Sequence, residues 1–217
     1  MKKYKDYIIL IILTMGLQAL VYYLVKALET NFFVMDTFLV VPFVKHFVYF
    51  YDIWYPFIIL NTFLVYKYNK KDFKNLILVM LLTGFVSQIT FIVYPTMVLR
   101  PEITINSLAD WIVSITYKLD TPAVNCLPSM HCVYCFATSF FILRSKNLKP
   151  KYRALVVTIS MMIVLSTMFI RQHVIEDVLL ALLYTSLVAT IVLVNKNLVN
   201  KIHDKFYKLI KYEENTN

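Results

Sequence analysis

Long apolar runs alternate with short basic ones along all 217 residues, and this alternation sets the fold. Uncharged stretches of about 17–25 residues cross a bilayer as helices, because hydrocarbon leaves no other way to satisfy the backbone. The pattern predicts six, near residues 7–25, 53–66, 75–94, 124–143, 154–170 and 178–195. The second is short and is extended by Lys67, whose stem can lie along apolar surface while its ammonium reaches water. The first follows Lys2, Lys3 and Lys5 as a signal peptide would. Its apolar run is too long for a signal core and no A-x-A site follows, so it reads as an uncleaved helix. Two connections are long. Residues 29–52 are rich in aromatics but interrupted by Pro42, Lys45 and His46, which predicts a segment lying at the interface. Residues 95–120 contain Trp111 and Tyr117 and are expected to form a partly helical outer loop. The expected fold class is all-α: a polytopic six-transmembrane-helix bundle forming a single membrane domain over 1–217, with an interfacial segment and an extracytoplasmic loop.

Composition narrows the class further. Hydrophobic residues make up 59% and charged residues 16%, with a mean hydropathy of +0.65. A soluble domain of this size carries about 45–50% and about 25%. A soluble enzyme, a disordered chain and a disulfide-rich secreted scaffold are therefore excluded, and with 2 Gly and 7 Pro so is a collagen-like or linker-rich chain. The net charge of +9 does not imply nucleic acid, because the basic residues fall in short runs between spans rather than on one face. In the six-helix arrangement 17 of the 22 Lys and Arg lie on one side: the N-terminal tail, the loop 67–74, the loop 144–153 and the tail from Lys196. The positive-inside bias then puts both termini in the cytoplasm and residues 29–52, 95–120 and 171–177 outside. Lys outnumbers Arg and no eukaryotic sorting signal is evident, which favours a bacterial cytoplasmic membrane. Cys126, Cys132 and Cys135 are odd in number and clustered; two of them fall in a predicted membrane helix, where Cys is more often a small apolar filler than a metal ligand.

The polar residues outside the basic runs gather on the outer side. Arg100 follows the third helix, His131 opens the fourth, and Arg171, His173, Glu176 and Asp177 lie between the fifth and sixth. Ionisable groups near hydrocarbon are costly and point to function. The i,i+4 spacing of His173 and Asp177 stacks them on one helical face, where the carboxylate can accept a hydrogen bond from Nδ1–H and leave Nε2 free to attack phosphorus. His131 is a candidate general acid. Arg100 and Arg171 can neutralise phosphoryl oxygens, and Ser129 with the nearby backbone N–H groups adds donors at a helix start. Such a set performs phosphoryl transfer without a metal or other cofactor. Taken singly, each histidine is more often a structural residue, Glu176 can form a solvated pair with Arg171, Trp54, Tyr55 and Trp111 read as an aromatic belt, and Asp110 and Asp120 read as loop residues. His46 and His203 fit no pattern.

The segment Cys126-Leu127-Pro128-Ser129-Met130-His131 resembles the Pro-Ser-Gly-His motif of the type 2 phosphatidic acid phosphatase superfamily. Ser166 to Asp177 resembles its third motif, Ser-Arg-x5-His-x3-Asp, and Arg100-Pro101 the end of its first, Lys-x6-Arg-Pro. The resemblance implies that His173 is the nucleophile, Asp177 its orienting partner, His131 the general acid, and Arg100 and Ser129 phosphate ligands. It implies a membrane lipid phosphate or diphosphate as substrate, hydrolysed through a phosphohistidine. Three positions depart: Val93 stands for the first motif's Lys, Thr167 for the third motif's Arg, and Met130 for Gly. Arg171 is the candidate to replace the lost Arg. The large residue at 130 occurs in the inositol-phosphorylceramide synthase-like branch, which makes a lipid headgroup phosphotransferase the second expectation. A non-catalytic lipid-binding or transport protein with a degenerate site is the third.

Overall fold

The computed structural model describes residues 2–28, 32–35, 41–195, 197, 200 and 201. Its elements run α1 (Lys2–Leu28), β1 (Phe33–Met35), a 3-10 turn (Lys45–Phe47), α2 (Val48–Asp52), α3 (Trp54–Tyr68), α4 (Lys70–Val93), β2 (Thr96–Val98), α5 (Leu108–Leu119), α6 (Met130–Arg144), α7 (Pro150–Phe169) and α8 (Ile175–Val194). Among the described residues, four helical stretches are long and apolar enough to cross a membrane: Lys45–Tyr68, Lys70–Val93, Pro150–Phe169 and Ile175–Val194. Twenty residues at 1.5 Å each reach about 30 Å, the thickness of the hydrocarbon core. Met130–Arg144 and, within α1, Ile12–Leu24 are shorter apolar helices.

α6 is the hub and packs on α3, α4, α7 and α8, while α1 lies against α4. Small side chains permit the close approach that holds helices together where solvent provides no hydrophobic drive. On α8, Ala181, Thr185 and Ala189 repeat every four residues and all three are buried. On α6, the small side chains of Cys132, Cys135, Ala137 and Thr138 are likewise buried. The cysteines are thus packing residues. The outward faces carry exposed Leu179, Leu183, Leu187 and Ile191 on α8, and Phe85, Ile89 and Ile92 on α4.

Several elements differ from the pattern-based expectation. The helix expected over 124–143 begins only at Met130. Leu127–Pro128 is a cis peptide, and Ser129 caps the helix by accepting the Cys132 N–H at 3.4 Å. The second half of the segment read as interfacial, 45–52, runs into α3 as one apolar stretch. Its charges are met by distant partners: Lys45 donates to Asp110 at 2.9 Å, and the Thr116 hydroxyl donates to Asp52 at 3.1 Å. Residues 29–31 and 36–40 of that segment, and His203, lie outside the described residues. The fold is mostly helical rather than wholly so, because β1 and β2 form a short parallel pair, Phe33 opposite Thr96. The loop 95–120 contains α5, whose Leu108, Trp111, Ile115 and Leu119 leave an apolar stripe exposed.

Candidate active site

The end of α7 aims the first imidazole. Arg171 N–H donates to Met168 C=O and Gln172 N–H to Thr167 C=O, each at 2.9 Å. This is a Schellman turn, with Arg171 in the left-handed region at φ 54. His173 N–H also donates to Thr167 C=O, at 3.0 Å, so one carbonyl of the helix end holds both residues. The chain then enters α8. Asp177, its third residue, reaches back so that one oxygen accepts Val174 N–H at 3.1 Å and lies 3.0 Å from His173 Nδ1. The carboxylate is fully buried and makes Nδ1 the protonated nitrogen, leaving Nε2 with a lone pair. His173 precedes α8 rather than lying in it, yet the i,i+4 pairing forms as the spacing requires.

The second imidazole comes from the first turn of α6. Ser129 N–H donates to Asp177 C=O at 3.2 Å, tying the start of α6 to the first turn of α8. The His131 and His173 rings stand 6.1 Å apart between centroids and are inclined by 56°. Tyr51 and Trp54 hold the His131 ring from their own rings, both 4.3 Å away between centroids. The Trp54 indole N–H also donates to His131 C=O at 3.2 Å. Trp54, expected in an aromatic belt, is 5% exposed and belongs to the site; its neighbour Tyr55 is the exposed one. Both histidines line a cavity of about 540 Å³, together with Trp54, Met130, Asp120 and Gln172.

Arg100 reaches this end of the bundle with its guanidinium engaged. Nη1 donates to the backbone carbonyls of Asp120, at 2.9 Å, and Tyr117, at 3.3 Å. Nη2 donates to Asp120 Oδ2 at 2.6 Å and to Gln172 Oε1. The guanidinium also lies over the Tyr117 ring, 4.8 Å from its centroid. Burial pushes the Tyr117 hydroxyl up to about 12, against the pull of Arg100 and Arg171, so it stays a donor and holds Ile170 C=O at 2.6 Å. Burial likewise raises the Cys126 thiol well above its usual value, which leaves it unreactive.

His131, His173 and Asp177 are therefore brought together, and Ser129 links their helices while its own hydroxyl caps α6. Arg100 is joined to them through Gln172. Arg171 makes no side-chain hydrogen bond or ion pair among the described residues, and its pairing with Glu176 does not form. Four contributors do not read as site residues in the sequence: Trp54 and Asp120 read there as aromatic belt and loop, and Tyr51 and Gln172 have no role assigned. Of these, Gln172 carried a signal, a polar residue beside His173 in the turn between two apolar helices. Tyr22 and Lys26 of α1 also reach Asp120, at 2.8 and 3.8 Å, across about a hundred residues of chain.

The family model of the PAP2 superfamily matches residues 72–200, more than half of the chain, covering α4 from its third residue and all of α5 to α8. No curated protein and no solved structure matches it. The chain belongs to the PAP2 superfamily.

Proposed function

We propose that this PAP2-superfamily member is a metal-independent phosphatase of membrane lipid phosphates or diphosphates. The observation that carries the reading is the buried Asp177 carboxylate on His173 Nδ1, with the His131 ring facing His173 across a cavity. His173 Nε2 attacks phosphorus in line, and the bond to the leaving oxygen breaks as His131 protonates it. The phosphohistidine is then hydrolysed by a water that gives its proton to His131, returning inorganic phosphate and the free imidazole. Arg100 and Ser129 bind phosphoryl oxygens, and Arg171 is the third candidate ligand. The separation of about 6 Å between rings suits one phosphoryl group held between nucleophile and acid.

In this reading α1 and α6 complete six spans, both termini are cytoplasmic, and the cavity opens at the outer face of a cytoplasmic membrane. The bias of Lys and Arg supports that orientation. The test is phosphate release from a panel of lipid phosphates by purified protein, with acid-stable quenching of the covalent intermediate replaced by alkaline quenching to preserve phosphohistidine. His173→Ala removes both turnover and label, and His131→Ala slows turnover by about 10²- to 10⁴-fold. Undiminished turnover in both variants overturns the mechanism.

Met130 at the cavity wall favours a second reading, transfer of the phosphoryl-bearing group to a lipid headgroup hydroxyl instead of water. A phosphodiester lipid among the products selects it.

A further inference from the structure

Asp120 sits as an anion among donors. Oδ2 takes Arg100 Nη2 at 2.6 Å, and Oδ1 takes the Tyr22 hydroxyl at 2.8 Å with Lys26 Nζ 3.8 Å away. Two cations and a hydroxyl thus surround one carboxylate that is itself 32% exposed and lines the cavity. The surroundings are less well satisfied than the carboxylate. Arg100 Nε and Gln172 Nε2 are buried donors with no partner among the described residues. The Gln172 amide cannot be turned to cure this, since a guanidinium only donates and so must face Oε1. Gln172 is 2% exposed, lines the cavity and adjoins His173. Unmet buried donors carry the full desolvation cost of the group.

The two edges of Arg100 differ. Nη1 is fixed to backbone carbonyls, which cannot leave without unwinding the end of α5. Nη2 holds side chains, which can rotate away. Arg100 can therefore exchange its anion without moving.

We propose that Arg100, Gln172 and Lys26 form an anion seat in which Asp120, held there by the Tyr22 hydroxyl, is the resident, displaceable anion, and that substrate phosphate takes its place. The seat rests on the phosphatase reading and deepens it. Lys26 supplies from α1 a cation that Val93 does not, and Gln172 Nε2 gains its missing acceptor from a phosphate oxygen. Asp120 then sets how strongly an anion must bind to enter, keeping two cations neutralised while the site is empty.

The experiment is titration of the purified full chain with inorganic phosphate by calorimetry, alongside hydrolysis of a short-chain lipid phosphate in mixed micelles. Asp120→Asn should tighten phosphate binding and lower KM by about tenfold, in line with one charge-assisted hydrogen bond released. Tyr22→Phe, which loosens Asp120 without changing charge, should shift both the same way by less. Gln172→Leu should weaken phosphate binding by about tenfold. Tighter phosphate binding in Asp120→Asn or Tyr22→Phe supports the seat even if wild-type protein hydrolyses no lipid phosphate, an outcome that removes the phosphatase reading alone. Unchanged or weaker binding in both folded variants, with wild-type hydrolysis intact, overturns the seat alone and makes Asp120 a positioning residue for Arg100.

Discussion

The two ends of the bundle each hold an arginine–aspartate pair, and the pairs are built differently. At the end where α4 begins and α6 stops, Arg144 donates to Asp72 at 2.9 Å, while the side-chain amides of Asn69 and Asn75 donate to the same carboxylate at 3.0 Å. Asp72 sits in the first turn of its helix and Arg144 in the last turn of its own, where each complements the helix dipole. At the opposite end, Asp120 of the Arg100–Asp120 pair lines a cavity, and the pair draws in a lysine, a tyrosine and a glutamine and leaves two donors unmet among the described residues. The first arrangement closes on itself and clamps two helices. The second is complete only with another acceptor present. Orphaned donors, rather than the ion pair itself, distinguish a site from a strut.

Breaking the working end should have the largest effect. Asp177→Asn removes the charge that orients and supports the His173 imidazole, and kcat should fall by about 10²- to 10⁴-fold, with phosphoenzyme formation slowed in rapid-quench kinetics. A fall confined to thermal stability would make Asp177 only a helix cap. Matched substitutions then sharpen the contrast. Arg100→Lys loses the two-edged geometry, so kcat/KM should drop by about tenfold or more. Arg144→Lys should leave kcat/KM unchanged and lower stability by no more than about 1 kcal/mol, read from thermal unfolding in detergent. Equal kinetic effects from the two would erase the distinction.

The smallest effect concerns acid pH. Lys45, Ser107 and the Asn106 N–H hold Asp110 down to about 2, below its ordinary 3.8. A carboxylate depressed on folding adds stability above its unfolded pKa and loses it as pH falls from about 4 to about 2. A shallow fall in the unfolding temperature across that window should vanish in Asp110→Asn.

The helices were legible because α4 over 75–93 and α8 over 178–194 are uncharged and mostly apolar around their whole circumference, a signal that needs no partner to interpret. The start of α6 was not, because residues 124–129 include apolar residues yet form an irregular segment, with Asn125 at φ 59, that ends at the Ser129 cap. Lys45 and Asp52 masked the continuation into α3, since the groups that meet them lie 65 and 64 residues away. The site divides in the same way. His173 and Asp177 could be read from spacing because they meet within one turn. Arg100 could be found but not its state, which depends on Asp120 and Gln172, 20 and 72 residues on. Arg171 looked like a phosphate ligand by charge, whereas what the structure shows of it is a backbone role in the left-handed turn.

Thr167 occupies the position where the resemblance calls for an arginine, and its peptide oxygen anchors both Gln172 and His173. The His173 imidazole is thereby bolted to the rim of a packed helical rod instead of riding on a pliant connector. In the proposed reaction its reach is then set by the bundle, so adjustment during turnover would fall to the incoming substrate and to the side chains facing it.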